Sequence, residues 1–325
     1  MSKPDNPTRE VPRDFAMTGT VPNGEFGDKA PGFADPTQLP QSEAERKAWQ
    51  EANRAWWEGK PMRYDWRDGL TSDKATADFF GEIDKRFLSS VQKFLPCRKT
   101  PFDPLIPFET LSDKDVLEIG VGHGSVAQIL AQHAGSYTGI DLTSEATEMT
   151  MRRFALFGTR GTIIQMDAES MSLPDASFDF IWSWGVIHHS ADTTRILKEM
   201  HRVLRPNGTA VVMVYYRSWW SYHLFAFLKL LLGGKIPTAQ RMRKVRQQAT
   251  DGAIARYYTR TEWEALTGPL FVTTTSVYGM SIEAIPLPHG RFKDFVLKLL
   301  PDTLARFMTH NLSMGSFLVA HMTKR

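Results

Sequence analysis

The sequence predicts an α/β fold built on a parallel sheet, and three observations carry that prediction. From Asp115 onward, short apolar runs alternate with helix-patterned stretches, the signature of βαβ units. The first apolar run opens directly into a glycine-rich turn. The chain has 325 residues with 42% hydrophobic content, enough for one large domain and an accessory region.

Before Asp115 the chain reads as an arm and a helical lid. Residues 1–40 are rich in Pro, Gly, Asp and Asn, and are expected to be poorly ordered; they lack the apolar run of a signal peptide. Ser42-Glu43-Ala44-Glu45 has the form of a capping box, which predicts a helix from Ser42 to Trp57. Gly59 and Pro61 end it within an aromatic segment that holds Trp56, Trp57, Tyr64 and Trp66. A second helix, Asp73 to Leu95, sets Phe79, Ile83, Phe87, Val91 and Phe94 on one face at spacings of three and four. Residues 41–100 are therefore assigned to the lid.

The core is expected to comprise 101–216, 259–280 and 315–325. Strands are predicted at Asp115–Ile119, Ser136–Ile140, Thr162–Gln165, Phe178–Trp184, Thr209–Tyr215, Phe271–Val277 and Ser316–Met322. Helices are predicted at Gly124–Gln132, Ser144–Phe157, Thr193–Leu204 and Arg260–Thr267. Leu204-Arg205-Pro206-Asn207-Gly208 reads as a turn, because Pro fixes one backbone angle and Asn-Gly tolerates left-handed ones.

Two insertions, 217–258 and 281–314, interrupt the alternation as caps. The first carries Trp219, Trp220, Phe225 and Leu228, then a basic run of Arg241, Arg243, Lys244 and Arg246. Ser218 to Gly234 is interrupted by His223 and Lys229 and falls short of the roughly 20 apolar residues of a spanning helix. A weak contact with a membrane surface stays open, because basic residues follow the apolar stretch closely. The second insertion holds an amphipathic helix over Phe292–Leu300.

Composition narrows the chemistry. The net charge of +3 does not demand a nucleic-acid partner. A single cysteine, Cys97, excludes an intramolecular disulfide and a Cys-rich zinc site, and fits a reducing, cytoplasmic compartment. Oligomeric state is not legible.

The glycine turn Glu118-Ile119-Gly120-Val121-Gly122-His123-Gly124 lets the backbone turn tightly and a ligand approach without an intervening Cβ. Asp141 follows the second strand about 20 residues later, where a carboxylate accepts both hydroxyl protons of a ribose. Asp167-Ala168 follows the third strand, placed for an adenine edge, though Asp167 also suits a capping acid. Asp141 likewise suits a helix N-terminus, and Glu118 a strand-end cap.

Together with the strand Phe178-Asp179-Phe180-Ile181 and Leu204-Arg205-Pro206-Asn207-Gly208, these motifs resemble the class I S-adenosylmethionine-dependent methyltransferases. The likeness is to their ubiquinone-biosynthesis-like, type 11 group, and it spans about 100 residues. That resemblance implies a Rossmann-like seven-stranded sheet, mostly parallel with one antiparallel strand and helices on both faces. It also implies S-adenosylmethionine as cofactor. Glu118, Gly120, Gly122 and Gly124 would hold the methionyl end, Asp141 and Leu142 the ribose, and Asp167 and Ala168 the adenine, with Ser183 at the fourth strand's end beside them.

After that strand come Ile187, His188 and His189, similar to the paired histidines of sugar and natural-product O-methyltransferases. Methyl transfer to a hydroxyl or protonated amine needs alignment and a base, and histidine suits that role near neutral pH. Either histidine fits, and either also fits a backbone hydrogen-bonding role. Tyr64, Trp66 and Tyr216 are candidates to contact the acceptor or shield a sulfonium, or simply lid packing.

The amino-directed DNA-methyltransferase signature and a cysteine after the fourth strand are both missing, which argues against nucleic-acid bases as acceptors. A magnesium site of the catechol type finds only Asp192 nearby, so no metal is expected. The expected function is O- or N-methylation of a small, partly apolar metabolite. C- or S-methylation of a lipid-like or quinone-like acceptor, a non-catalytic cofactor binder and a dinucleotide-dependent oxidoreductase are the alternatives.

Overall fold

A computed structural model describes residues 39–65, 69–248, 250–285, 287 and 290–325. The expected N-terminal arm up to residue 38, and Trp66, lie outside the described residues.

Helices α1 (Glu43–Gly59) and α2 (Ala77–Phe94) precede the sheet. Then β1 (Asp115–Ile119), α3 (Ser125–His133), β2 (Ser136–Asp141), α4 (Ser144–Phe157), β3 (Thr162–Gln165) and β4 (Phe178–Trp184) alternate. They are followed by α5 (Thr193–Val203) and β5 (Leu204–Tyr216). The first insertion contains a π-helical turn (Trp219–Leu224), α6 (Phe225–Leu232), α7 (Ala239–Gln248) and the two-residue β6 (Tyr257–Tyr258). After α8 (Arg260–Thr267) and β7 (Phe271–Tyr278), the second insertion adds α9 (Ser281–Ala284), α10 (Arg291–Leu299), α11 (Asp302–Arg306) and a π turn (Phe307–Asn311). β8 (Phe317–Lys324) completes the sheet.

The strand order is β3-β2-β1-β4-β5-β8-β7, with β1 to β5 parallel and β8 antiparallel to both neighbours. The chain order reverses between β1 and β4, and in open α/β sheets ligands bind beyond the carboxyl ends of strands at such a switch point.

Strand alternation divides the interior into two cores. One face carries Val116, Phe180, Trp182, Val211, Met213 and Val319 under α2, α3 and α4. The other carries Leu117, Ile181, Val212, Val214 and Leu318 under α5 and α8, where Ile196, Leu197 and Trp263 are fully covered.

Three sequence expectations are corrected. Among the described residues the sheet has eight strands rather than seven, because Tyr257 and Tyr258 pair with Tyr215 and Tyr216. The predicted turn at Leu204–Gly208 lies inside β5: Leu204 pairs with Phe178, and the register then shifts so that Thr209 meets Phe180. Asn207 takes φ 63 there, so the Asn-Gly chemistry makes a bulge instead of a free turn. The capping box of α1 is only half formed. Ser42 Oγ accepts from the Glu45 amide at 3.1 Å, but the Glu45 carboxylate accepts from Gln41 N, one residue outside the helix cap.

Candidate active site

A cavity of about 250 Å³ lies at the carboxyl ends of β1, β2 and β4, at the switch point. Its floor is the turn after β1, where Gly120 and Gly122 have φ of 84° and 53°, and Gly124, just past the floor, has 79°. A Cβ on Gly120 would lie 2.2 Å from Val186 Cγ2, whereas one on Gly122 would meet nothing within 4 Å. The first glycine thus allows close packing beneath the turn, and the second keeps the cavity side open.

Three acids surround this floor. Glu118, buried in β1, accepts a 2.6 Å hydrogen bond from the Tyr137 hydroxyl. Burial pushes its carboxyl up to about 8, the Tyr137 bond opposes this, and the nearby Asp141 adds to it. Asp141 closes β2: one oxygen accepts from Thr143 N and Oγ1 at 3.0 and 2.8 Å, and the other from Gly122 N at 3.2 Å. Burial raises its pKa against those bonds. Asp167 accepts from Gln50 Nε2 at 2.8 Å and from Glu169 N at 2.9 Å. Leu142 and Ala168 line the same space.

Helix α1 roofs the cavity and is tied down at both ends. The Glu58 carboxylate accepts from the backbone amides of Ser144 and Glu145 at the start of α4, at 3.0 and 2.9 Å. An acid at a helix N-terminus satisfies amides with no intrahelical partner. Arg46 bridges to the covered Glu169 at 2.6 Å, and Gln50 Oε1 accepts from Ala191 N at 3.2 Å. Asn53 and Trp57 face the cavity from the same helix.

The histidine turn Ile187–His189 separates the two imidazoles. His189 lines the cavity, and its Nδ1 lies 2.5 Å from the Ile254 carbonyl. A carbonyl only accepts, so Nδ1 carries the proton and the lone pair is on Nε2. The Trp57 ring meets His189 edge-on at 5.0 Å. His188 is not among the cavity-lining residues. It is wholly buried with its ring 4.2 Å from His189 and 4.0 Å from Tyr215, and neither ring nitrogen has a hydrogen-bond partner among the described residues. Burial, helped by His189 and Arg256, holds its pKa well below the usual value.

Residues 250–258, part of the first expected cap, pack against this turn. Arg256, fully buried, donates to the Ala191 carbonyl at 2.6 Å and to that of Ser190, and its amide donates to His188 O at 3.0 Å. A Cβ on Gly252 would stand 2.6 Å from His189 Nδ1. Asp251 also lines the cavity.

The candidate tyrosines part company. Tyr64 lines the cavity, its ring stacked on Phe87 at 4.6 Å, and burial raises its pKa. Tyr216 points to the opposite face of β5 and packs with the core beneath α5 and α8, so it does not meet the cavity. Tyr215, its neighbour, takes that place beside both histidines. Period-two alternation pairs Tyr215 with Met213 on one face and could have marked this in the sequence. Ser183 is also displaced from the expected site: it is buried and donates to Ile119 O at 3.1 Å, holding β4 to β1. Gly124 serves as the N-cap of α3 without lining the cavity.

The far end of the cavity is apolar, lined by Phe87, Val91 and Phe94 of α2 with Trp184, Met213 and Phe317 of the sheet. None of these was singled out as a site residue from sequence, because strands and helices distant along the chain converge on them. Among the described residues, no group of three His, Cys, Asp or Glu side chains could hold a metal ion.

Part of the chain is similar to known methyltransferases. Residues 117–212 match the family model described as a methyltransferase domain. A phthiotriol/phenolphthiotriol dimycocerosates methyltransferase of Mycobacterium ulcerans is 39% identical over 100 residues, 30% of this chain and 36% of that protein. A fatty-acid O-methyltransferase of Mycolicibacterium smegmatis is 37% identical over 97 residues, 29% and 35% of the two chains. The match thus spans about a third of the length of these curated relatives. A geranyl diphosphate C-methyltransferase structure from Streptomyces coelicolor A3(2) shares the fold at TM-score 0.50 and 12% identity, over 88% of this chain and 99% of that one.

The residues present fit S-adenosylmethionine: an open glycine turn and three acids end successive parallel strands around one cavity. Residues 117–212 thus match a methyltransferase domain, and the cavity at the ends of their strands suits S-adenosylmethionine.

Proposed function

We propose that the chain methylates a hydroxyl or amine on a small, largely apolar acceptor, with His189 as the base. The observation that carries this reading is one cavity lined by acids of β1, β2 and the segment after β3 on one side of the strand order and by Trp184, Met213 and Phe317 of β4, β5 and β8 on the other, with His189 and Tyr215 on its wall. S-adenosylmethionine supplies an electrophilic methyl on a sulfonium, which leaves as a neutral thioether.

In this reading Glu118 and the glycine turn hold the ammonium and carboxylate of the methionyl end, Asp141 the ribose, and Asp167 the adenine amine. Phe87, Val91, Phe94 and Phe317 bury the acceptor's hydrocarbon, at roughly 25 cal/mol per Å² removed from water. His189 Nε2 takes the acceptor proton while Nδ1 stays bonded to Ile254 O, so the imidazole is fixed in orientation as it becomes cationic. Tyr215, kept protonated by burial, orients the acceptor. Alignment supplies the remainder, since in-line displacement needs the attacking atom held near the methyl carbon.

The named substrates of the two mycobacterial relatives are lipids, which supports an apolar acceptor. The test is transfer of labelled methyl from S-adenosylmethionine into organic extract with long-chain fatty acids, aliphatic alcohols, phenols and amines as separate candidates. Turnover with an apolar hydroxyl or amine compound is expected, and turnover with the fatty acids alone would overturn the role of His189 as base. Turnover confined to strongly polar sugars or free amino acids would overturn the acceptor class.

A further inference from the structure

We propose that the two insertions together form a docking face for an anionic lipid bilayer. The inference goes beyond the acceptor reading and stands on the outer surface of the protein, away from the cofactor end.

Helix α10 is built inside out. Phe292, Phe295 and Leu299 share one face at spacings of three and four, and that face points to solvent, with Phe292 68% and Leu299 66% exposed. Lys293, on the opposite side, is only 3% exposed. A surface helix of a water-facing domain has the reverse polarity. The first insertion repeats the pattern: Phe227, Leu231, Leu232 and Ile236 run along α6 and its exit, with Leu232 82% and Ile236 72% exposed.

The two insertions are fastened to each other. The Trp219 indole donates to the Leu312 carbonyl at 3.3 Å and that of Trp220 to Glu283 O at 2.7 Å. Trp219, Leu312 and Phe307 are themselves exposed beside this junction. Tryptophan suits the boundary between hydrocarbon and headgroups.

Charge decides which occupant the face fits. Residues 219–248 contain six Lys and Arg and no Asp or Glu. Lys229, Lys235, Arg241 and Lys244 are exposed around the apolar residues. Apolar side chains rimmed by an excess of cations match a bilayer bearing anionic headgroups, and a copy of this same face would repel them. Among the described residues no helix is long and apolar enough to cross a membrane, so the contact is interfacial.

The face also adjoins the apolar end of the cavity. Arg306 of α11 donates to Lys93 O at 3.2 Å, next to Phe94 of α2, which lines that end. Docking would bring an acceptor dissolved in the bilayer within one helix of the site.

The test is co-sedimentation of the full chain with vesicles of phosphatidylcholine alone or mixed with phosphatidylglycerol. Sedimentation with the mixed vesicles only is expected, weakening as salt is raised. Leu232→Asp/Ile236→Asp and Phe292→Asp/Phe295→Asp should each reduce partitioning at least ~10-fold while S-adenosylhomocysteine binding and thermal unfolding are unchanged. No sedimentation with either vesicle, or equal sedimentation with both, overturns the proposal. So would a wild-type dimer that the aspartate variants make monomeric, because the face would then be an interface between copies. Binding of S-adenosylhomocysteine reports on the cofactor site separately.

Discussion

His189 and Ile254 meet through a single hydrogen bond of 2.5 Å from imidazole Nδ1 to a main-chain carbonyl, and it joins the methyltransferase domain to the first insertion. The bond fixes the tautomer at a residue that lines the cavity. It also separates two histidines that are adjacent in the sequence.

His188, buried and kept neutral, acts through packing against Tyr215 and His189. His188→Leu should change turnover by less than ~10-fold, small beside the ~100-fold or more of a lost general base. Its pKa lies below the unfolded value of 6.5, so the unfolded chain takes up more protons at low pH. The contribution of His188 to stability is present above pH 6.5 and is lost as pH falls below it. Urea unfolding of wild type and His188→Leu at pH 7.5 and 5.5 should show a smaller acid loss in the variant.

Glu118 has the opposite linkage. With its carboxyl at about 8 in the folded protein, it keeps a proton that the unfolded chain releases above about 4.5. Its contribution to stability therefore declines as pH rises from about 4.5 to 8. Contact with the cofactor ammonium favours the carboxylate, so binding at pH 7 should release about one proton. Calorimetry in buffers of different ionisation enthalpy measures this. Glu118→Gln should abolish the release and weaken binding ~10- to 100-fold.

Helix α1 covers part of the cavity with Gln50, Asn53 and Trp57, so opening of this helix is expected to accompany cofactor exchange. Glu58→Ala removes the acceptor for two amides at the start of α4. It should accelerate amide hydrogen exchange in 43–59 and raise the dissociation constant, since the closed arrangement is less populated. Cofactor binding should slow that exchange in the wild-type protein.

Gly120→Ala places a methyl group against Val186 on a backbone with φ 84. The left-handed conformation and the displaced valine together should cost about 2–4 kcal/mol. Gly122→Ala, whose Cβ would meet no atom, should cost only the first part and act mainly on cofactor affinity. Thermal unfolding and cofactor titration of the two variants separate these effects.

The methyltransferase domain was legible because its signals are local. A strand, a glycine turn and an acid after each of the next two strands lie between Asp115 and Asp167, and the structure gathers Glu118, Gly120, Gly122, Asp141 and Asp167 around one cavity. What local pattern could not supply was contact at long range. Gln50 reaches Asp167 across 117 positions, and His189 reaches Ile254 across 65. Tyr215 and Tyr216 are alike in the sequence, and only the face of β5 that turns inward tells them apart. The inverted polarity of α10 was hidden as well, since the sequence pattern shows an amphipathic helix but not which side it buries.

The most direct measurement is the single-turnover rate of labelled-methyl transfer to an apolar acceptor by wild type and His189→Ala, each saturated with S-adenosylmethionine. The account predicts at least a ~100-fold slower step in the variant with cofactor affinity retained. An unchanged rate would contradict it.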